Sequence, residues 1–358
     1  MEGRPYGIIS DTHNHNWDSF STVGSDGVNT RLRIILNEFV RCAEEVTAAG
    51  GDTIYHAGDL FHVRGSVAPS VLNPTLEVYR RVVDSGMRII INAGNHDLEG
   101  KDASRIGSAI TALEEVGCIV INDENAGLKA SENVILIPWN RDVAALKGQI
   151  QSAADIFGGK VDNIDLILHA PIDDVIVGLP PHGLVANDLA AFGFRFVFAG
   201  HYHHHKDFGN GVYSVGACAH HTWSDVGSKA GFLIVSDKVK WRSSRAPQFI
   251  DLSSEMDPSD IPLIVDGNYV RARIASSKQK DIADLREYLT ECGAIASVVL
   301  SQKETSVAPR VGATIAAGAS IEASVSDFIK SGTYTDPDKL TLLCRGILSR
   351  AQAMEEGS

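Results

Sequence analysis

Cysteine is scarce in this chain and never paired. Five are scattered over 358 residues (Cys42, Cys118, Cys218, Cys292 and Cys344), and no Cys-x-x-Cys occurs. An odd, scattered set argues against a disulfide framework. It suits a reducing, cytoplasmic setting in which the thiols are core residues or bystanders. Long apolar runs are missing too. No stretch approaches the roughly 18 residues of a membrane span. The brief apolar run before Ser10 fits a strand and is too short for a signal peptide. Positive charge is in deficit, with 32 Lys and Arg against 45 Asp and Glu, a net charge of −13. That balance does not advertise tight, non-specific nucleic-acid binding by the chain alone. It leaves a phosphodiester substrate open, because bound divalent cations can turn a locally acidic site into an anion-binding one.

What remains is the composition of an ordinary globular enzyme, 44% hydrophobic and 22% charged, long enough for one large core or two domains. Short apolar runs alternate with helical patterns over about the first 250 residues. Strands are expected at 6–10, 53–57, 87–93, 133–138, 164–169, 195–199, 212–215 and 231–236. Helices are expected at 31–49, 70–85, 104–116 and 143–157. In the first helix Ile34, Ile35, Phe39, Cys42, Val46 and Ala49 recur at helical spacing, with Asn29 or Thr30 as the cap and Gly50-Gly51 as the stop. The pattern predicts a layered α/β architecture with helices outside and a partly antiparallel sheet. Residues 1–252 form the main domain, 253–262 a Pro- and Asp-containing linker, and 263–310 a small strand–helix–strand unit. Residues 311–358 form a helical tail, with a low-complexity start and a stripe of Leu340, Leu343, Ile347, Ala351 and Met354.

Five motifs stand after apolar runs, in fixed order: Asp11-Thr-His13, Gly58-Asp59, Gly94-Asn95-His96-Asp97, His169 and His201-Tyr-His203. Each alone is common and would read as a turn or a core histidine. Jointly, at strand ends, they offer Asp11, His13, Asp59, Asn95, His169, His201 and His203 as a donor set for two divalent metals. Asp59 can bridge the two, and Asn95 offers a neutral oxygen. The imidazoles suit Mn²⁺, Fe²⁺ or Zn²⁺ better than Mg²⁺, with Mn²⁺ favoured. The mixed nitrogen and oxygen donors argue against a structural zinc site. His96 adjoins Asn95 and is read as the general acid for a leaving oxygen, with Asp97 holding its ring.

These motifs resemble the calcineurin-like metallophosphoesterase superfamily over about the first 250 residues. Within it, Gly58-Asp59-Leu60-Phe61-His62 with Gly94-Asn95-His96-Asp97 resembles the SbcD-type DNA repair nucleases. The segment Asp11-Thr-His-Asn-His-Asn-Trp17 and Val63-Arg-Gly-Ser66 look closest to phage-type members. The resemblance implies mixed β-sheets flanked by helices and a small C-terminal α+β capping domain. It implies one metal on Asp11, His13, Asp59 and His203, and a second on Asp59, Asn95, His169 and His201. His96 would act on the scissile phosphate or leaving oxygen, and His62 would orient the phosphate.

Arg64, His15 and Trp17 are candidate substrate contacts, Trp17 reading first as a packing residue and otherwise as a base-stacking platform. Arg31 and Arg33 either contact a phosphate backbone or sit on a solvated helix face. His15, His204, His205, His220 and His221 read more simply as supporting or surface residues than as extra ligands. The implied function is a metal-dependent DNA nuclease, exonucleolytic with possible endonuclease activity, in DNA repair, recombination or phage DNA processing. The alternatives are a cyclic-nucleotide phosphodiesterase and a non-catalytic scaffold. The implied partners are DNA, an SbcC-type coiled-coil ATPase and a second copy of the chain, the C-terminal stripe being either a docking helix for the ATPase or a face packed on its own domain; no membrane contact is expected.

Overall fold

The computed structural model describes residues 4–99, 109–122, 129–131, 133–253, 256–302, 325–326, 328–330, 332 and 334–356. The strands are β1 Tyr6–Ile9, β2 Thr53–His56, β3 Arg88–Asn92, β4 Ile119–Ile121, β5 Lys129–Ser131, β6 Val134–Ile137, β7 Asp165–His169 and β8 Phe196–Gly200. They continue with β9 Lys206–Asp207, β10 Val212–Ser214, β11 Gly231–Val235, β12 Val239–Ser243, β13 Phe249–Leu252, β14 Tyr269–Ala275 and β15 Ala296–Gln302. The helices are α1 Thr30–Ala48, α2 Pro69–Asp84, α3 Val143–Ile156, α4 Ala186–Ala191, α5 Ile261–Val265 and α6 Ile282–Glu291.

The strands build two six-stranded sheets, ordered β12-β11-β1-β2-β3-β4 and β5-β6-β7-β8-β10-β9. The centre of each is parallel, and antiparallel strands stand at the margins. Their central strands read as unbroken apolar runs because both faces are covered. The period of two decides which layer each side chain enters. Ile8, Tyr55 and Ile90 point into the layer between the sheets, where they meet Leu136, Ile167 and Phe198. Their neighbours Ile9, Ile54, Ile89 and Ile91 turn the other way, against Leu32, Ile35, Leu36 and Phe39 of α1. On the far side Ile135, Leu166, Leu168 and Val197 pack against Leu146 and Ile150 of α3 and Leu189 of α4. The result is four layers, helix–sheet–sheet–helix, with three apolar seams. Each fully buried aliphatic side chain contributes about 1.5–3 kcal/mol.

α1 is capped by Asn29, whose side-chain oxygen accepts from the amides of Arg31 and Leu32 at 3.0 and 3.1 Å. Its buried face includes Leu32 and Leu36, while Ala49, expected in the core, is exposed and lies just past the last turn. Asp165, at the start of β7, is fully buried. It accepts from the Tyr6 hydroxyl of β1 and from the Arg195 guanidinium, so it fastens the two sheets at the end away from the motif loops.

A third, smaller sheet has the order β13-β14-β15 and a core of Val265, Val270, Ala272, Leu289 and Val299. β13 pairs in parallel with β14, so the small sheet begins at Phe249, before residue 253, and α5 starts within the Pro-containing stretch. Of the helix expected at 104–116, Ala109–Val116 is a 3₁₀ helix and the remainder lies outside the described residues, as does the low-complexity stretch 311–320. The chain divides into compact units at 1–301 and 302–358, and the second contains helix Pro337–Glu356, on which Leu343 and Ile347 are exposed. No described helix is long and apolar enough to cross a membrane.

Phe39 is 1% exposed and its ring stacks on Tyr79 at 4.0 Å, joining α1 to α2. Phe39→Ala is expected to cost about 3–5 kcal/mol, read as a lowered urea midpoint at unchanged m-value.

Candidate metal centre

β1, β2, β3, β7 and β8 all release their motif loops at their carboxyl ends, and register aligns those ends. Ile9 pairs with His56, His56 with Ile91, and His169 with Gly200. The loops then bend sharply. Six non-glycine residues among the described ones have positive φ, and four are candidate ligands: Asp11 (48°), His13 (43°), Asp59 (55°) and His201 (106°). Such strain costs of order 1 kcal/mol or more per residue and persists where surrounding contacts dictate it.

Two donor clusters result. Asp11, His13 and His203 offer ligand atoms within 4.8 Å of one another, and Asp59, His169 and His201 do the same. Asp59 lies between them, with Oδ2 3.7 Å from His13 Nε2 and Oδ1 3.5 Å from His169 Nε2. Asn95 Oδ1 joins the second cluster, 3.1 Å from His169 Nε2 and 2.9 Å from His201 Nδ1. A buried carboxylate with one oxygen toward each set of imidazoles, and no thiolate, fits a pair of divalent metals. Close packing makes it possible. A Cβ on Gly94 would stand 2.2 Å from Asp59 Oδ1, and one on Gly58 would stand 2.2 Å from His169 Nδ1.

The electrostatics follow from burial. Burial works against ionisation of Asp59, yet His169, His13 and His96 outweigh it and hold its carboxyl below the usual range. For Asp11 burial wins and raises the pKa, although His169 opposes it. Burial, helped by His169, pushes His201 down to about 3, and burial keeps His13 well below normal, so both present lone pairs. His169 is the exception. Burial lowers it, but Asp59 overrides and takes it up to about 9. Its Nδ1–H donates to the Ala57 carbonyl at 2.8 Å, which leaves Nε2 facing Asp59 and Asn95.

His96, half-buried, stands beside the first cluster, its ring edge-on to His13 at 4.9 Å. Its amide donates to Asp59 Oδ1 at 2.7 Å. Its ring is held by the His62 carbonyl, which accepts from Nδ1 at 2.6 Å, and not by Asp97. The Asp97 carboxylate turns to backbone, accepting from the amides of Gly94, Leu60 and Phe61. Burial, with Asp59 adding to it, pushes Asp97 up to about 7. Sequence adjacency misled here, because consecutive side chains leave a turn in different directions.

His62, His13 and His96 form a third close group. His15 and Trp17 sit against His62, with ring centroids at 5.1 and 4.6 Å, and Trp17, read first as a packing residue, also packs against the core. Trp17 also stacks on His221. Arg64 donates through Nε to the Asn95 carbonyl at 2.7 Å and so braces a donor loop. Arg31 is buried and bonded to backbone carbonyls, on no solvated face, whereas Arg33 pairs with Asp26. His205 and His220 are hydrogen-bonded into the protein, to the Ser214 carbonyl and to Ser228. Two neighbours of the ligands escaped the sequence reading. Trp139 stacks on His201 at 4.9 Å, and Asp225 accepts from His203 Nδ1 at 2.8 Å. The one sequence hint of Asp225 is the capping-box spacing Thr222-x-x-Asp225.

Residues 4–205 match the family described as calcineurin-like phosphoesterase. Among solved structures the chain is similar to a dimetal phosphatase from Danio rerio, at 11% identity and a TM-score of 0.44, covering 68% of this chain and 97% of that one. It is also similar to the nuclease MPE of Pseudomonas putida, at 16% identity and a TM-score of 0.26, covering 55% and 61%. No curated protein matches the chain.

A cation entering the second cluster must displace the His169 proton, whose pKa is raised to about 9. The proton is held below that pH, so metal affinity is expected to rise with pH and level off near it. Calorimetric titration with Mn²⁺ in buffers of differing ionisation enthalpy should show proton release at pH 7 that fades above that point.

Proposed function

The chain belongs to the calcineurin-like phosphoesterase family, and we propose that it is a two-metal phosphodiesterase cutting DNA, of the SbcD type. The observation that carries the hydrolytic part is the Asp59 carboxylate, with one oxygen toward each donor cluster and His96 hydrogen-bonded to the same residue. Asp11, His13, Asp59 and His203 would hold one ion, and Asp59, Asn95, His169 and His201 the other. When bound, two divalent ions supply Lewis-acid charge neutralisation for a phosphate and lower the pKa of water in the site.

The chain's own contribution is placement and protons. His96 Nδ1–H is committed to the His62 carbonyl, which fixes the ring and its tautomer. Nε2 is then the nitrogen that delivers a proton to the departing 3′- or 5′-oxygen. Asp97 ties the Gly58-to-Phe61 and Gly94 loops together through three amides, keeping His96 in register with Asp59. The DNA part rests on Gly58-Asp59-Leu-Phe-His62 and Gly94-Asn-His-Asp97, and on the rim of His62, His15 and Trp17. That rim offers flat rings beside the scissile position, where a base or sugar can pack.

His96→Ala is expected to lower cleavage of end-labelled DNA by about 10²–10⁴-fold while both metals stay bound. Asp59→Ala should lose metal and activity together. Cleavage ladders of single- and double-stranded DNA, with metal analysis of each variant, check this. Wild-type protein that hydrolyses bis-p-nitrophenyl phosphate and cyclic nucleotides, yet leaves DNA intact, would overturn the DNA assignment and keep the hydrolytic one.

A further inference from the structure

The turn at residues 220–225 carries none of the five motifs, yet it grips one donor cluster twice. Asp225 Oδ1 accepts from His203 Nδ1 at 2.8 Å. His221 Nε2–H donates to the Asp11 carbonyl at 2.8 Å, at the residue whose φ is 48°. Asp11 and His203 belong to the same cluster. The other cluster is steadied elsewhere, by the Ala57 carbonyl on His169 and the Trp139 ring on His201.

The turn is itself anchored. Asp225 Oδ2 accepts from the amides of His221 and Thr222 at 2.7 and 2.9 Å. Arg31 donates to the carbonyls of His220 and His221 at 3.2 and 2.6 Å. The guanidinium lies 5.1 Å from the Trp17 and Phe249 ring centroids and 5.7 Å from that of Tyr269. The Phe249 amide donates to His220 Nδ1 at 3.0 Å. β13 and β14 therefore help hold the turn that holds the ligands.

We propose that this turn, pinned by Arg31, is the support of the Asp11–His13–His203 metal position, with Asp225 as its positioning residue. A carboxylate can only accept, so it keeps the His203 proton on Nδ1 and leaves Nε2 for a cation. The proposal deepens the two-metal reading and concerns only one of its two positions.

Asparagine at 225 separates positioning from folding. Its carbonyl can still serve the two amides that close the turn. Its NH₂ then faces His203 Nδ1, which must become the acceptor, and the proton moves to Nε2, where it blocks a cation. The experiment is calorimetric titration of the full chain with Mn²⁺, wild type against Asp225→Asn, with thermal melts of both metal-free proteins. The expected result is one binding event weakened by about 10–100-fold, the other unchanged, and similar melts. Two wild-type binding events in the variant, or equal weakening of both, would overturn the proposal. Nitrogen-15 NMR of histidine-labelled, metal-free wild type at alkaline pH is the second readout and needs no variant. His203 with its proton on Nδ1 supports the assignment, and a proton on Nε2 refutes it. Neither readout involves a substrate, so failure to cut DNA would overturn the nuclease reading alone.

Discussion

Asp59 must remain ionised while 2% exposed, and much of the local structure exists to meet that requirement. A buried carboxylate without partners would take up a proton instead. Here the His96 amide donates to Oδ1, while His13 and His169 face Oδ2 and Oδ1 respectively. Gly94 clears the space a Cβ would fill, and positive φ at Asp59 aims the side chain across the gap between the sheets. Neighbouring acids respond to the same charge. Asp97, close behind, is pushed toward its neutral form partly by Asp59, and it takes its hydrogen bonds from amides rather than from cations.

The scaffold supplies rigidity at the other end. Parallel strands in both sheets finish together at the site, and Asp165 locks β1 to β7 at the opposite end through Tyr6 and Arg195. Between the two lies an apolar seam of fully buried residues, Ile8, Ile90, Leu136 and Ile167 among them. Sliding one sheet against the other would open that seam and break the clasp. The distance between Asp59 and the histidines of the second sheet, His169 and His201, is therefore set by packing well away from either loop.

Much of this was legible in the sequence because each motif follows a strand, and a strand declares itself by its unbroken apolar run. Layered α/β architecture, mixed sheets and the Asn29 cap follow from patterns a few residues long. What escaped was non-local or weakly patterned. β12 alternates half-buried and exposed residues, including Lys240 and Arg242, and β9 is two residues long, so neither carries a core signal. Arg31 reads as a helix-surface cation, but chain returning from about 190 residues away covers it with the carbonyls of His220 and His221. Beyond the capping-box spacing from Thr222, nothing in the sequence marks Asp225. Its partner His203 is 22 residues distant, and only the folded turn brings them together.

The overall charge of −13 and the binding of a phosphoester can be reconciled within the centre itself. Its seven-residue donor set includes only two carboxylates, Asp11 and Asp59; the remaining donors are neutral when ligating. Burial favours that neutrality by lowering His13 and His201. Two divalent cations against two carboxylates leave a local positive excess in a partly buried site, where charge is less screened than in bulk water. Exposed acidic residues farther from it than a Debye length, roughly 8–10 Å in physiological salt, are largely screened. A chain of this kind would bind phosphate strongly only where the centre is loaded, and weakly over the rest of its surface.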